Sequence, residues 1–274
     1  MKKFLILLTG ALLSCSACKK RGAQIEAGDA VPVSHAAGFS LTQCPGYTMA
    51  EVRNPWDTTR LLHRYLLVDK ERDIPGNLPE GTLVRVPVEN IAAYSSVHVS
   101  MLDELGAADR ITGVCEAEYI ARPGVRRRIE SGEIADLGSS FAPRVEKIIE
   151  LSPEVILASP YENCNYGQVE KLGVPIIECA DYMETTPLGR AEWVRFLGLL
   201  TGRTHEADSL FGLTECRYDS LRRLAADAAE RPRCSPNAAR AAHGSCRAGP
   251  AIWPDSLPMP EPAISGATTA AAAR

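Results

Sequence analysis

Four tyrosines and one histidine stand in polar segments that follow apolar stretches of the chain, where a side chain can contact a ligand. The phenol rings of Tyr161, Tyr166 and Tyr182 could stack on a flat macrocycle or, as phenolates, bind ferric iron. The imidazole of His98 could be an axial or corrinoid ligand. Each residue also has a plainer explanation, because a loop tyrosine is usually half-buried packing and a histidine near a helix start is more often hydrogen-bonded structure. Their convergence is what indicates a binding site.

Apolar strands that alternate with helical segments surround these residues from residue 86 onward. The pattern predicts strands at residues 91–94, 111–114, 155–158 and 175–178. The helices are predicted to begin at the capping residues Ser95 and Ser96, at Pro143, around Val169 and near residue 188. This alternation predicts an α/β fold, in which helices cover a Rossmann-like parallel sheet.

The loops at the carboxyl ends of these strands are where an open α/β sheet binds its ligand. They comprise residues 95–98, 116–119, 159–166 and 180–186. The candidate ligand-binding residues are therefore Ser95, Ser96, His98, Tyr119, Tyr161, Tyr166 and Tyr182. No catalytic residue, metal-ligand set or resident cofactor is predicted, since His98 is the one histidine of five that falls in such a loop.

The chain on either side of this unit has a different character. Residues 24–85 contain short predicted strands at 47–52 and 65–68 and a turn at 74–79, which predict a small β lead-in. After Gly202, Thr204 is expected to cap a helix that continues to about Ala229, with apolar residues at helical spacing. A helix of this length is more often a connecting strut than part of a compact Rossmann unit.

The first residues predict export. Lys2 and Lys3 precede an apolar run over residues 4–13, which has the charge and length of a secretory signal rather than of a membrane span. The run ends at Cys15 in a sequence that resembles a bacterial lipobox, so Cys15 is the predicted lipidation site and membrane anchor. An ordinary signal cleaved nearby, for example at Cys18, is the alternative. In both cases the mature chain leaves the cytoplasm.

Charge and cysteine content narrow the possible partners and chemistry. A formal net charge of -4 leaves no basic footprint for nucleic acid. Nine cysteines in an exported protein would normally indicate disulfides, but those beyond Cys15 and Cys18 show no pairing pattern. Cys115 and Cys179 end apolar strands, where a buried thiol behaves as a small hydrophobic group. The cysteines are therefore interpreted as structural, and their connectivity stays open.

Several runs of the sequence resemble one family. They are Val86-Pro87 with residues 90–96, residues 102–114, the stretch 136–158 with its Arg144-Val145-Glu146-Lys147-Ile148 segment, residues 172–177 and residues 192–202. Together they are similar to the ABC-importer binding proteins for cobalamin, heme or ferric siderophores, the helical-backbone (TroA-like) class. The resemblance covers about residues 86–230. It implies two lobes joined by one long helix, with the ligand in the cleft between them.

The resemblance also implies a function, a partner and a location. The protein would bind an iron chelate (siderophore or heme) or cobalamin for an ABC permease in the inner membrane, as a lipoprotein of the periplasm or cell envelope. Glu146 would pair with arginines of the permease, and its plainer explanation is a solvated carboxylate near Lys147. The alternatives are a zinc- or manganese-binding transport protein and a Rossmann-like enzyme, although the motifs GxGxxG, GxxxxGK[ST] and GxSxG are absent from the sequence.

The last 41 residues do not fit the resemblance. After Arg233 the composition shifts to Ala, Pro, Arg, Ser and Gly without periodicity, so the expected second lobe is missing. A one-nucleotide frameshift is the expected cause, because shifted codons of residues 234–237 can encode Val-Leu-Thr-Glu and those of 254–262 can encode Ala-Arg-Phe-Ala-Ala-Asp-Ala-Gly-Ala. A genuine disordered tail is the alternative. The expected segments are the signal (1–15), the lead-in (16–85), the α/β lobe (86–202), the inter-lobe helix (203–233) and the tail (234–274).

Overall fold

The lead-in is a complete sheet in the computed structural model, which describes residues 28–227. Its strands lie side by side in chain order: β1 (Asp29–Val31), β2 (Phe39–Cys44), β3 (Tyr47–Arg53), β4 (Leu61–Asp69) and β5 (Thr82–Val86). Neighbouring strands pair antiparallel, except that β4 and β5 are parallel. Residues 39, 41 and 44 of β2 are buried and those between them are less so, as expected for a strand with one face on the core.

The second sheet is parallel, as predicted. It contains β6 (Ile91–Ala93), β7 (Ile111–Val114), β8 (Ala135–Asp136), β11 (Val155–Ala158) and β12 (Ile176–Glu178), in the spatial order β12-β11-β6-β7-β8. A hairpin of two short strands, β9 (Gly138–Ser139) and β10 (Ala142–Pro143), lies between β8 and β11 in the chain. The α/β prediction is thus confirmed for this part of the chain.

Five α-helices accompany the strands in the described residues. They are α1 (Ser96–Glu104), α2 (Pro123–Glu130), α3 (Val145–Leu151), α4 (Pro187–Thr201) and α5 (Thr204–Ala226). Ser95 caps α1 as predicted, since its side chain accepts a hydrogen bond from the Val97 N–H. The long helix after Gly202 is also present and spans 23 residues.

Three local predictions are wrong. Pro143 does not open a helix, because it pairs with Gly138 in the hairpin and α3 begins only at Val145. Thr204 is not a cap but the first helical residue, and the preceding Arg203 makes no side-chain capping bond. The segment around Val169 forms only a short 3-10 turn.

One core joins the two sheets. Helix α4 places Trp193 and Phe196 against the lead-in sheet, with the Trp193 and Phe39 ring centroids 4.8 Å apart and those of Tyr65 and Phe196 6.1 Å apart. The same buried cluster continues to Ile91 of the parallel sheet. The lead-in sheet therefore packs as part of the α/β unit.

Two buried carboxylates of the α4 region fasten the segment that precedes β2. Glu192 accepts hydrogen bonds from the N–H groups of Ser34, His35 and Ala36 at 2.7–2.9 Å. Glu184 accepts those of residues 37 and 38 at 2.8–3.0 Å and one from the Trp193 indole. Five consecutive backbone donors are thus satisfied by side chains rather than by a neighbouring strand.

Several predictions fall outside the described residues or concern the membrane. The signal, Cys15 and the tail lie outside residues 28–227, as does the end of the predicted 203–233 helix segment. Within residues 28–227, none of the helices combines the length and apolar composition needed to span a bilayer. The cysteines described, at positions 44, 115, 164, 179 and 216, are all unpaired thiols.

Candidate functional site

A cavity of about 690 Å³ opens at the carboxyl ends of the parallel strands. Each wall begins where a strand stops: Tyr94 follows β6, Glu116 follows β7, Ser159 follows β11 and Asp181 follows β12. The chain runs from β6 to β7 and β8 on one side and then returns to β11 on the other side of β6. The cavity therefore lies at the crevice where the strand order reverses, and its volume falls in the ~300–1,000 Å³ range of small-molecule sites.

Six of the residues that line the cavity are aromatic. Five of the eight tyrosines of the chain border the cavity, namely Tyr94, Tyr119, Tyr161, Tyr166 and Tyr182. Phe141, at the tip of the β9–β10 hairpin, joins them and is 80% exposed. Its ring centroid lies 5.8 Å from that of Tyr161, at an interplanar angle of 46°. Exposed rings at one opening are surfaces on which a large apolar or conjugated ligand can pack.

The tyrosine hydroxyls differ in what they can do. Tyr182 donates to the Pro160 carbonyl at 2.7 Å, and Tyr166 donates to Glu178 at 3.2 Å. Burial, and then the nearby Glu178 carboxylate, raises the pKa of Tyr166, and burial also raises the pKa values of Tyr182 and Tyr94. The raised pKa values oppose the phenolate form in these three rings, which therefore suit stacking or hydrogen bonding rather than phenolate binding of iron.

Tyr119 and Tyr161 are the cavity tyrosines that remain available for metal ligation. Within the described residues their hydroxyls have no hydrogen-bond partner, and Tyr119 is 69% exposed. They sit on opposite loops, after β7 and after β11.

His98 does not reach the cavity, which corrects its prediction as a ligand. The residue is fully buried within α1, and its Nε2 lies 3.3 Å from Oδ1 of Asp181. Ser95 and Ser96, by contrast, do line the cavity. The side-chain oxygen of Ser95 already accepts the hydrogen bond from the Val97 N–H that caps α1. His98 lies on the buried face of the first turn of α1, together with Val99 and Leu102, which explains the difference.

Arg190 is a site residue that the sequence analysis missed. Of the described residues that line the cavity it alone is a lysine or arginine, and its Nε lies 3.4 Å from Oδ2 of the buried Asp181. It stands in the first turn of α4, just beyond the predicted loop 180–186. Its guanidinium can pair with an anionic group of a ligand. Extending each strand-end loop by one helical turn would have found it.

Glu116 is a second missed residue. Its backbone is left-handed, with φ of 52°, and its carboxylate accepts hydrogen bonds from Ser139 and Ser140 in the hairpin that carries Phe141. The Ser140 backbone N–H is the main reason that the pKa of Glu116 lies below its ordinary value. Glu116 is thus an ionised residue that ties one cavity wall together.

Two further predictions concern metal and permease contacts. Among residues 28–227, no three His, Cys, Asp or Glu side chains gather in a way that could hold a metal ion. Glu146 is exposed in the first turn of α3 and has no ion-pair partner within the described part of the chain. The neighbouring Lys147 instead donates to the Asp136 carbonyl at 2.9 Å. The Glu146 carboxylate is therefore accessible, and its docking role stays a prediction.

Known proteins match this part of the chain. A family model described as periplasmic binding protein covers residues 91–233. An uncharacterised lipoprotein of Methanocaldococcus jannaschii is 26% identical over 165 residues, 56% of this chain and 40% of that protein. A second one is 27% identical over 171 residues, 59% of this chain and 43% of that protein. The petrobactin-binding protein of Bacillus subtilis is 26% identical over 108 residues, 38% of this chain and 33% of that protein.

The family match does not include the lead-in sheet, and the curated relatives extend beyond the stretch that they share with this chain. The solved structure of the petrobactin-binding protein aligns with 65% of this chain and 53% of its own, with a TM-score of 0.45 and 15% identity. The chain spans less than half the length of the curated relatives it matches. The family match begins at the first strand of the parallel sheet and includes every residue that lines the cavity.

Proposed function

Because the chain belongs to the periplasmic binding protein family, we propose that its cavity is the ligand site of the substrate-binding component of an ABC importer. The observation that carries the proposal is the aromatic cavity at the carboxyl ends of β6, β7, β11 and β12. Such a component binds and releases its ligand without changing it. The proposal therefore assigns no catalytic residue and no resident cofactor.

The ligand that this lining fits is an iron chelate, as siderophore or heme, or cobalamin. Rings such as Phe141 and Tyr161 offer flat apolar surface to a conjugated or macrocyclic ligand, and Arg190 offers a positive charge to an anionic edge. The petrobactin-binding relative supports the iron-chelate arm of this proposal. The zinc and manganese alternative would call for several converging His and carboxylate ligands, whereas the described residues that line the cavity include no histidine and only two carboxylates, Glu116 and Asp181.

The same proposal assigns the partner and the location. Glu146 would contact an ABC permease, and Cys15 would carry the lipid that holds the protein at the membrane in the periplasm or cell envelope. The two lipoproteins among the relatives support the anchor. An exposed carboxylate without an ion-pair partner in residues 28–227 is a suitable group for pairing with an arginine of another protein.

The experiment is a titration of the purified full chain with hemin, a ferric catecholate chelate and cyanocobalamin, each carried to millimolar concentration. Binding is followed by the absorption spectrum of each ligand. We expect saturable binding of one of the three, weakened about tenfold in Tyr161→Ala because a stacked ring is lost. The matched control is Tyr218→Ala on α5, which lies outside the cavity and should bind like the parent. Equal affinity in all three proteins, or no saturable binding, would contradict the proposal.

A further inference from the structure

The loop after β7 holds an unusual backbone conformation. Glu116 lies in the left-handed region at φ of 52°, which a residue with a side chain rarely adopts. Such a conformation persists only where the surroundings impose it, and it concentrates at functional sites. The Glu116 N–H donates to the Gly138 carbonyl at 2.9 Å, so the strained residue begins a contact with the β9–β10 hairpin.

The side chain completes that contact. The Glu116 carboxylate accepts from the Ser140 N–H at 2.9 Å and from the hydroxyls of Ser139 and Ser140 at 3.1 Å. Ser139 Oγ in turn accepts from the Phe141 N–H at 3.3 Å. Three consecutive residues at the hairpin tip are therefore held, directly or through one bond, by a single ionised side chain.

The hairpin has little else to fix its tip. Its two strands are two residues long and pair only Ser139 with Ala142 and Gly138 with Pro143. A two-stranded hairpin is marginal by itself even when longer. The side chain of Phe141 is exposed, and its ring contacts the ring of Tyr161 at the opening of the cavity. Without Glu116, the direction of Phe141 would be set by a very short ladder.

We propose that Glu116 is a positioning residue for ligand recognition: its carboxylate holds the hairpin of residues 138–143 so that Phe141 forms an aromatic wall facing Tyr161. The two rings then select ligands with a flat conjugated face over compact hydrated ions. This inference rests on the proposed function and deepens it. In this proposal the specificity of the site comes from the contact between the loop after β7 and the β9–β10 hairpin. Glu116 itself does not touch the ligand.

The first test needs no ligand. In the full chain, the Ser140 amide proton is followed by NMR as the pH is lowered. Its shift is expected to titrate with Glu116, at a midpoint below the ordinary glutamate pKa of about 4.3. Asp136 is the other carboxylate that acts on Glu116, and it pairs with Arg144 at 3.3 Å. Loss of the titration in Glu116→Gln assigns it to Glu116, whereas a titration that persists there would overturn the contact.

The second test measures coupling between the two loops. With the probe that binds the parent chain, Glu116→Ala is expected to weaken binding about tenfold and Phe141→Ala by a similar factor, the size of one lost stacked ring. In the Phe141→Ala background, Glu116→Ala should have no further effect, because the ring it positions is gone. Glu116→Gln, which keeps an acceptor for the Ser140 N–H, should restore most of the affinity.

The control is Glu118→Gln, which changes an exposed carboxylate in the 3-10 turn Ala117–Tyr119 that follows Glu116. Within the described residues Glu118 has no hydrogen bond or ion pair with the hairpin, so this variant should bind normally. Losses that multiply in the double variant would overturn the inference while leaving the proposed function standing. A parent chain that binds none of the probes would instead overturn the proposed function and the ligand role of Glu116 together.

Discussion

The two sheets of this protein use their polar side chains in opposite ways. Around the lead-in sheet, polar side chains serve structure: Glu184 and Glu192 of the α4 region hold the segment before β2, and Tyr65 of β4 bonds to β12. In the parallel sheet, polar and aromatic residues follow the strands and surround an open cavity. The difference teaches that the added sheet supports the site without lining it, while the strand ends of the α/β unit carry recognition.

The largest expected effect tests whether the two sheets form one folding unit. Trp193→Ala removes the ring that packs between them at 4.8 Å from Phe39, and we expect a loss of about 3–5 kcal/mol in the free energy of unfolding. Urea unfolding is followed by thiol labelling of Cys44 in the lead-in sheet and Cys115 after β7, both buried. Both thiols should become reactive in the same transition.

A substitution of an exposed apolar residue is the control for Trp193→Ala. Leu221→Ala, on the exposed part of α5, should change the free energy of unfolding by no more than about 0.5 kcal/mol. If Cys44 is labelled at a clearly lower urea concentration than Cys115, the lead-in sheet unfolds on its own. The description of a single shared core would then be wrong.

Much of the fold could be predicted because its strands are short apolar runs. Residues 91–93 and 155–158 are continuous apolar stretches, and residues 111–114 are apolar except for Thr112; parallel strands covered by helices need that composition. Helix α2 could not be found in this way, since Pro123–Glu130 buries only Val125 and carries three arginines. Pro143 has the chemistry of a helix start, but pairing with Gly138 places it in a strand.

The sequence was sufficient to predict which loops form the site, but not which of their side chains face the cavity. Strand ends located four of the predicted tyrosines at the cavity. Phe141 and the role of Glu116, which begins the predicted loop 116–119, were missed. The two residues meet through a hairpin of two-residue strands, whose pairing leaves no periodic signal in the sequence. His98 was assigned wrongly because its burial depends on how α1 packs, which loop position alone does not determine.

A substitution of intermediate expected effect tests Glu192, whose carboxylate holds the backbone of residues 34–36 before β2. Glu192→Gln keeps one acceptor but loses the charge and leaves backbone donors of residues 34–36 short of partners. We expect a loss of about 2–3 kcal/mol at pH 7, measured by urea denaturation. Burial by itself would raise the pKa of Glu192, but the three N–H groups and Arg195 outweigh it and the pKa is lowered.

The sign of the pH dependence follows from that lowered pKa. A carboxyl group whose pKa is depressed on folding stabilises the native state above its unfolded pKa and loses this contribution as the pH falls through the folded value. The gap between the parent and Glu192→Gln should therefore be largest above about pH 5 and shrink below about pH 4.3. Glu150→Gln on the exposed side of α3 is the control and should show no gap. A gap that stays constant down to acidic pH would show that the charge of Glu192 is not the stabilising element.

The smallest expected effect, that of Tyr65→Phe, tests whether the lead-in sheet contributes to stability without contributing to ligand binding. The Tyr65 hydroxyl donates to the Ile176 carbonyl at 2.9 Å and accepts from the Glu178 N–H at 2.8 Å, so it stands where a further strand would cover the edge of β12. Tyr65→Phe leaves both groups unpaired and should lower the free energy of unfolding by about 1–2 kcal/mol, with Tyr218→Phe as the silent control. Ligand affinity should not change, because Tyr65 does not line the cavity. If affinity falls together with stability, the lead-in sheet acts on the cavity through Glu178 and its bond to Tyr166, and the division of roles between the two sheets no longer holds.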